Sequence, residues 1–294
     1  RVLALLLVLF LFSCQNRSGR KATKSADSTT LAKIRMIEVM PKALKEISGI
    51  SFVNDSLIAA VQDETGVLFF YDLHRKTIAR QYPFGEEGDY EDVAVVGNTV
   101  YIVNSSGTIF RIDNFLGSKP SPTIRYNTPL TEKNNIEGLA WDKKNNRLLL
   151  AAKDDGLVKK TGKEIYAFDL STKQLGTRPV YSIRLKEIEA FFRGDELEEA
   201  SKKFLKRLGN NKLKQVFRTS AITIHPTTGD LYVLTSLNNM IAVLSADGSV
   251  QRIIELAGRD YNQPEGLAFT SDARLFVSNE SNGRRANIIE ITYD

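Results

Sequence analysis

A short motif that returns five times constrains this chain more than any other feature, because copies of one unit must each bury the same face against the same kind of neighbour. The copies are Glu46-Ile47-Ser48-Gly49-Ile50-Ser51-Phe52, Tyr90-Glu91-Asp92-Val93-Ala94-Val95, Ile136-Glu137-Gly138-Leu139-Ala140-Trp141, Thr219-Ser220-Ala221-Ile222-Thr223-Ile224 and Pro264-Glu265-Gly266-Leu267-Ala268-Phe269. With residues 49, 92, 138, 221 and 266 as markers, successive copies lie 43, 46, 83 and 45 residues apart. A period of about 45 residues is the size of a propeller blade.

The same grammar follows each copy. A turn such as Asn54-Asp55 or Asn145-Asn146 leads to a second apolar run: Leu57 to Val61, Val100 to Val103, Leu148 to Ala152, Leu231 to Leu234 and Leu275 to Val277. An alternating third strand comes next, as in Val67-Leu68-Phe69-Phe70-Tyr71. In four units a more polar fourth strand completes the set, at Ile78 to Tyr82, Thr123 to Tyr126, Val180 to Leu185 and Val250 to Leu256. Four short antiparallel strands per repeat make a blade, so the expected fold is an all-β, five-bladed β-propeller over residues 34–294.

The fifth unit has three strands, and the orphan run Ile34 to Met40 supplies the fourth. Pairing it onto the last blade closes the ring and removes an open sheet edge. The 83-residue gap is large enough for a sixth blade, which is the alternative. Leu197, Ala200, Phe204, Leu205 and Leu208 instead fall at helical spacing, with lysines, arginines and glutamates between them, before Gly209-Asn210. Residues 186–215 therefore read as a helical insertion after blade 3.

Ahead of the repeats, Val2 to Phe12 is an unbroken apolar run of 11 residues. A membrane span needs about 20, so the run is the h-region of an export signal. It ends in Leu11-Phe12-Ser13-Cys14, the pattern of a bacterial lipobox, and Cys14 is the only cysteine. Residues 1–14 thus read as a lipoprotein signal peptide with Cys14 as the lipidation site, and residues 15–33, rich in Ser, Thr, Lys and Arg, as a flexible tether. The expected setting is the cell envelope, with the protein anchored to a membrane and facing the periplasm or the exterior.

Lys and Arg number 40 against 35 Asp and Glu, an excess that would favour nucleic acid if it lay on the domain. Residues 1–35 hold seven of the basic residues and only Asp27 among the acids, leaving 33 basic and 34 acidic beyond. The folded body is close to neutral, and a nucleic-acid partner is not expected.

The repeats resemble the SdiA-regulated family of exported bacterial proteins, similar in look to calcium-binding propellers such as β-propeller phytases. The resemblance rests on Lys45-Glu46-Ile47-Ser48-Gly49-Ile50, Ala60-Val61-Gln62-Asp63-Glu64, Gly88-Asp89-Tyr90-Glu91-Asp92-Val93-Ala94, Asn135-Ile136-Glu137-Gly138-Leu139-Ala140, Gln263-Pro264-Glu265-Gly266-Leu267-Ala268 and Val277-Ser278-Asn279-Glu280. It covers essentially all of residues 36–294 and implies a five-bladed propeller. The family is named for transcriptional control by a quorum-sensing regulator, which implies little about activity.

First and second strands of a blade are antiparallel neighbours, so the start of one and the end of the other share one end of the channel. Strand-one starts bring Glu91, Glu137 and Glu265 there, and strand-two ends bring Asp63, Glu64, Asp154 and Glu280. Like carboxylates raise one another's pKa or recruit a cation. With two histidines and one cysteine in the chain, a zinc site of nitrogen and sulfur is excluded, whereas oxygen ligands suit calcium, with magnesium second. Two readings stay open: these acids hold a divalent cation, or they cap turns and pair with Lys153, Arg284 and Arg285.

His74 and His225 lie in turns, so neither reads as a buried general base, and no Ser-His or Cys-His arrangement follows. Trp141 and most phenylalanines read as core; Tyr90 and Tyr261, close to the glutamates, are the aromatics placed to touch a ligand. Three functions remain. The first is a lipid-anchored propeller binding calcium and a small-molecule or glycan ligand at the acidic mouth. The second is a calcium-dependent hydrolase, phosphoesterase or lactonase-like, with one glutamate taking the proton. The third is a protein-interaction scaffold.

Overall fold

The computed structural model describes residues 28–119, 121–157, 162–184, 187, 188, 191 and 217–293. Two N-terminal strands, β1 (Ser28–Leu31) and β2 (Lys33–Val39), precede the blades. Blade 1 is β3 (Ile47–Phe52), β4 (Leu57–Gln62), β5 (Val67–Asp72) and β6 (Thr77–Pro83). Blade 2 is β7 (Tyr90–Val96), β8 (Thr99–Asn104), β9 (Ile109–Asp113) and β10 (Ile124–Tyr126). Blade 3 is β11 (Ile136–Asp142), β12 (Arg147–Ala152) and β13 (Gly162–Asp169), whose outer edge pairs with both β14 (Gln174–Leu175) and β15 (Tyr181–Arg184). Blade 4 is β16 (Thr219–Ile224), β17 (Leu231–Thr235), β18 (Met240–Leu244) and β19 (Val250–Glu255); blade 5 is β20 (Pro264–Phe269), β21 (Leu275–Asn279) and β22 (Asn287–Thr292).

Strand β2 pairs antiparallel with β22 as the fourth strand of blade 5, so the chain's N-terminal side closes the ring. Strand β1, within the stretch read as tether, adds parallel to β19 at the outer edge of blade 4, and Ala32 N donates to Glu255 O at 2.9 Å. Parallel backbone pairing recruits this Ser-Thr-Thr-Leu segment, which carries no strand periodicity. The inner strands β3, β7, β11, β16 and β20 contact one another in a closed ring around the axis. Five blades account for the described residues. Most of the insertion expected over 186–215 lies outside them, as do Cys14 and the apolar leader; Ile188 and Phe191 are buried between blades 3 and 4.

Each of the five apolar clusters lies between two neighbouring blades. This is why the second and third strands read as nearly unbroken apolar runs: both of their faces are covered. The inner strands approach so closely that a Cβ at Gly49 would collide with the Asp92 backbone, and one at Gly266 with the Ser48 carbonyl. In blade 2 the same position holds Asp92 instead. Its buried carboxylate spans the gap, accepting Leu139 N of blade 3 at 2.7 Å and its neighbour Val93 N at 2.8 Å.

Candidate functional site

All five inner strands carry one irregularity at one place. Their register against the second strand slips between Ile47 and Ile50, Tyr90 and Asp92, Ile136 and Gly138, Thr219 and Ala221, and Pro264 and Gly266. The residues left out of the ladders are Ser48 with Gly49, Glu91, Glu137, Ser220 and Glu265. A β-bulge re-aims a side chain and is common beside functional sites. Here the same bulge turns three glutamates and two serines toward one mouth of the channel. Ser220 Oγ donates to Pro264 O at 2.9 Å and closes the gap between blades 4 and 5.

The glutamates act on one another and on a single lysine. Burial first, then the Glu137 and Asp89 charges, pushes Glu91 up to about 10. Burial also raises Glu137, which Lys153 pulls back to about 7. Glu265 is raised by burial and drawn down by Lys153. Lys153 Nζ lies 2.5 Å from Glu137 Oε1. Burial opposes its charge, but Glu137, Glu265 and Glu91 together outweigh that and hold the ammonium above its ordinary value. Asn135 Nδ2 donates to the same Glu137 oxygen at 3.1 Å.

A second group sits at the seam between blades 5 and 1. Glu46, Asp63 and Glu280 each offer an oxygen, all within 4.8 Å of one another. Backbone bonds fix them: Asp63 N donates to Glu46 O at 3.3 Å, Glu280 N to Gln263 O at 2.9 Å, and Ser281 N to Lys45 O at 2.9 Å. Glu280 is pushed up to about 8 by burial and by its hydrogen bond to Glu46. Glu46 is correspondingly held below the ordinary range, by that bond and then by Lys45. The two carboxyls therefore share a proton. Asp63 is raised by burial and by Glu46, Glu64 and Asp89, and its Oδ1 is buried with no donor. Glu265 joins the halves: it feels Lys153 on one side and Asp63 on the other.

Among the sequence-expected ligands, Glu91, Glu137 and Glu265 thus gather around Lys153, while Asp63 and Glu280 gather with Glu46. Asp154 is exposed and held by Arg218 Nη2 at 3.0 and 3.1 Å. Glu64 is exposed and faces Lys45 at 3.8 Å. The compensating cations are Lys153, Arg218 and Lys45; Arg284, expected in that role, donates to the Arg259 carbonyl instead. Glu46 and Arg218 escaped the sequence reading as site residues because each stands just outside its strand, although Glu46 opens the first copy of the motif. Tyr90 and Tyr261 are core residues. Tyr90 packs edge-on against Phe84 and Phe110 and donates to Glu86 O at 2.9 Å, and Tyr261 is buried between blades 4 and 5. His225 Nδ1 accepts the amides of Thr227 and Thr228 in a turn at the opposite end of its strand.

The family described as SdiA-regulated matches residues 27–284. No curated protein matches the chain. Among solved structures, glutaminyl cyclase of Myxococcus xanthus is similar with a TM-score of 0.58 at 13% identity, over 91% of this chain and 98% of that one. The PQQ-bound aldose sugar dehydrogenase of Streptomyces coelicolor is similar with a TM-score of 0.51 at 12% identity, over 90% and 99%. A luciferin-regenerating enzyme has a TM-score of 0.50 at 11% identity, over 87% and 95%. At these identities the likeness shows the fold alone.

Proposed function

This chain belongs to the SdiA-regulated family, and on that premise we propose that it is a binding propeller whose acidic mouth holds a divalent cation, calcium by the chemistry of its donors. Glu46, Asp63 and Glu280 would hold the ion, and the glutamates around Lys153 would face a polar small-molecule or glycan ligand. The observation that carries this reading is the seam trio: three carboxyls within 4.8 Å, two of them sharing a proton and the third with a buried oxygen that no donor reaches. A hard cation with oxygen ligands replaces that proton and satisfies that oxygen. The inner half fits a metal less well, because Lys153 already neutralises Glu137 at 2.5 Å.

A hydrolase is the second reading, favoured by one feature: Glu137, near 7 beside Lys153, is poised to exchange a proton at neutral pH. In either reading the protein is a lipoprotein tethered through Cys14 in the cell envelope, testable by mass spectrometry of the mature N-terminus.

Isothermal titration of calcium and of magnesium into chelator-treated protein tests the proposal. One calcium per chain, lost in Asp63→Asn with Glu280→Gln, is expected; equal binding by that variant and the parent protein overturns the assignment. Phosphomonoester and lactone turnover, assayed with calcium and with chelator, separates binder from enzyme.

A further inference from the structure

The far mouth of the channel, formed by the other ends of the five inner strands, opens into a cavity of about 260 Å³. Counting from the bulge, the second residue onward in each strand is Ile50, Val93, Leu139, Ile222 or Leu267, each at most 2% exposed and lining the cavity's inner end. Two positions further out stand Phe52, Val95, Trp141, Ile224 and Phe269. All five are apolar, and all five are only half-buried. A single exposed apolar side chain needs no explanation, whereas five converging on one concave mouth mark a binding surface.

The wall is held in place from behind. Phe52 packs on Phe276 with ring centroids 4.8 Å apart, Phe269 lies edge-on to Tyr232 at 4.9 Å, and the Lys143 ammonium sits 5.8 Å from the Trp141 ring centre. The site is therefore pre-formed. Its chemistry is mixed, because the inner strands are paired on one side only and turn their other backbone edge toward the axis. Of the lining residues only Asp55, exposed at the lip, carries a charge, and its carboxylate already accepts Ser271 Oγ at 2.9 Å. A cavity equal to roughly nine waters of liquid volume is the size of one small ring.

We propose that this apolar mouth is a second binding site, separate from the acidic one, for a compact, uncharged, ring-shaped molecule that carries hydrogen-bonding groups on its edge. The apolar wall takes the faces of the ring, and the backbone edges take its polar rim. A charged ligand finds no counter-charge inside.

Trp141 is the only tryptophan of the chain and stands in the wall, so its fluorescence reports this site alone. Titration of the full chain with cyclohexanol and with myo-inositol as neutral probes, and benzoate as the charged one, is the test. A neutral probe is expected to change Trp141 emission saturably, to reduce acrylamide quenching about twofold, and to bind at least about tenfold more weakly to Val95→Phe, which fills the cavity. Methyl NMR of Ile224 and Val95 in the unsubstituted protein gives the same answer independently of any variant. No saturable change with either neutral probe, methyl shifts confined to other regions, equal affinity in a folded Val95→Phe, or tighter binding of benzoate would each overturn the assignment.

Discussion

The two mouths of the channel are built from the same five strands and differ in chemistry because of one backbone device. At the acidic mouth a bulge in every inner strand lifts a residue out of the ladder, and three of the five are glutamates. At the apolar mouth the ladders run regularly and the inward residues are Phe, Val, Trp, Ile and Phe. Between them lies a ring of Ile50, Val93, Leu139, Ile222 and Leu267, each at most 2% exposed. One end thus gathers carboxyls that only partly find counter-charges, and the other gathers half-buried apolar surface. The two are insulated by a layer about one residue thick, so changes at one mouth should leave the other unmoved.

The largest effect expected at the acidic mouth is from Lys153→Met, which strips a buried carboxylate of its partner. Stability should fall by about 3 kcal/mol near pH 8 and by less near pH 5, where Glu137 is protonated and needs no partner. Adding Glu137→Gln should restore most of the loss, as measured by urea denaturation; no rescue would mean that Lys153 acts through packing.

Calcium at a hundredfold excess over its Kd should stabilise by about 2.7 kcal/mol, roughly 5–10 °C in Tm for a domain of this size. The shift should vanish in Asp63→Asn with Glu280→Gln and persist in Ile224→Thr, which touches only the other mouth. A shift lost in both variants would break the insulation of the mouths.

A smaller effect concerns pH. Glu280 is raised to about 8 in the fold, so the native state holds a proton that the unfolded chain releases near the ordinary carboxylate range. Its contribution is complete below that range and is lost as pH rises through about 8; Glu46, held low, works the opposite way and only in acid. In chelator, thermal scans should therefore show stability falling between about pH 5 and pH 8, and calcium should flatten the decline because binding displaces the shared proton.

The smallest effect belongs to Ile224→Thr. Half-buried at the apolar mouth, it should cost under about 1 kcal/mol, whereas Ile222→Ala, two residues inward, should cost about 2–5 kcal/mol. Comparable losses in the two would show that the outer ring is ordinary core.

The spacing of the repeats and the alternation of their strands determined the blades, their number and the closing role of β2, because a β-sheet's two-residue period and a blade's length are local properties of a chain. The same logic led to Glu91, Glu137 and Glu265, which occupy equivalent places in three copies. Two other features were not legible. Lys153 stood among the expected partners, but which acids it meets, and the part played by Arg218, depended on the packing of the blades, since these cations are separated from the acids they face by 16 and 64 residues. Tyr90 and Tyr261 looked like ligand contacts, and the fold buries both, whereas Trp141 and Phe269 pack against the clusters between blades as expected and in addition line the apolar mouth. A residue's periodicity says which face of a strand it occupies; only the packing of neighbouring blades decides whether that face meets another side chain or the open axis.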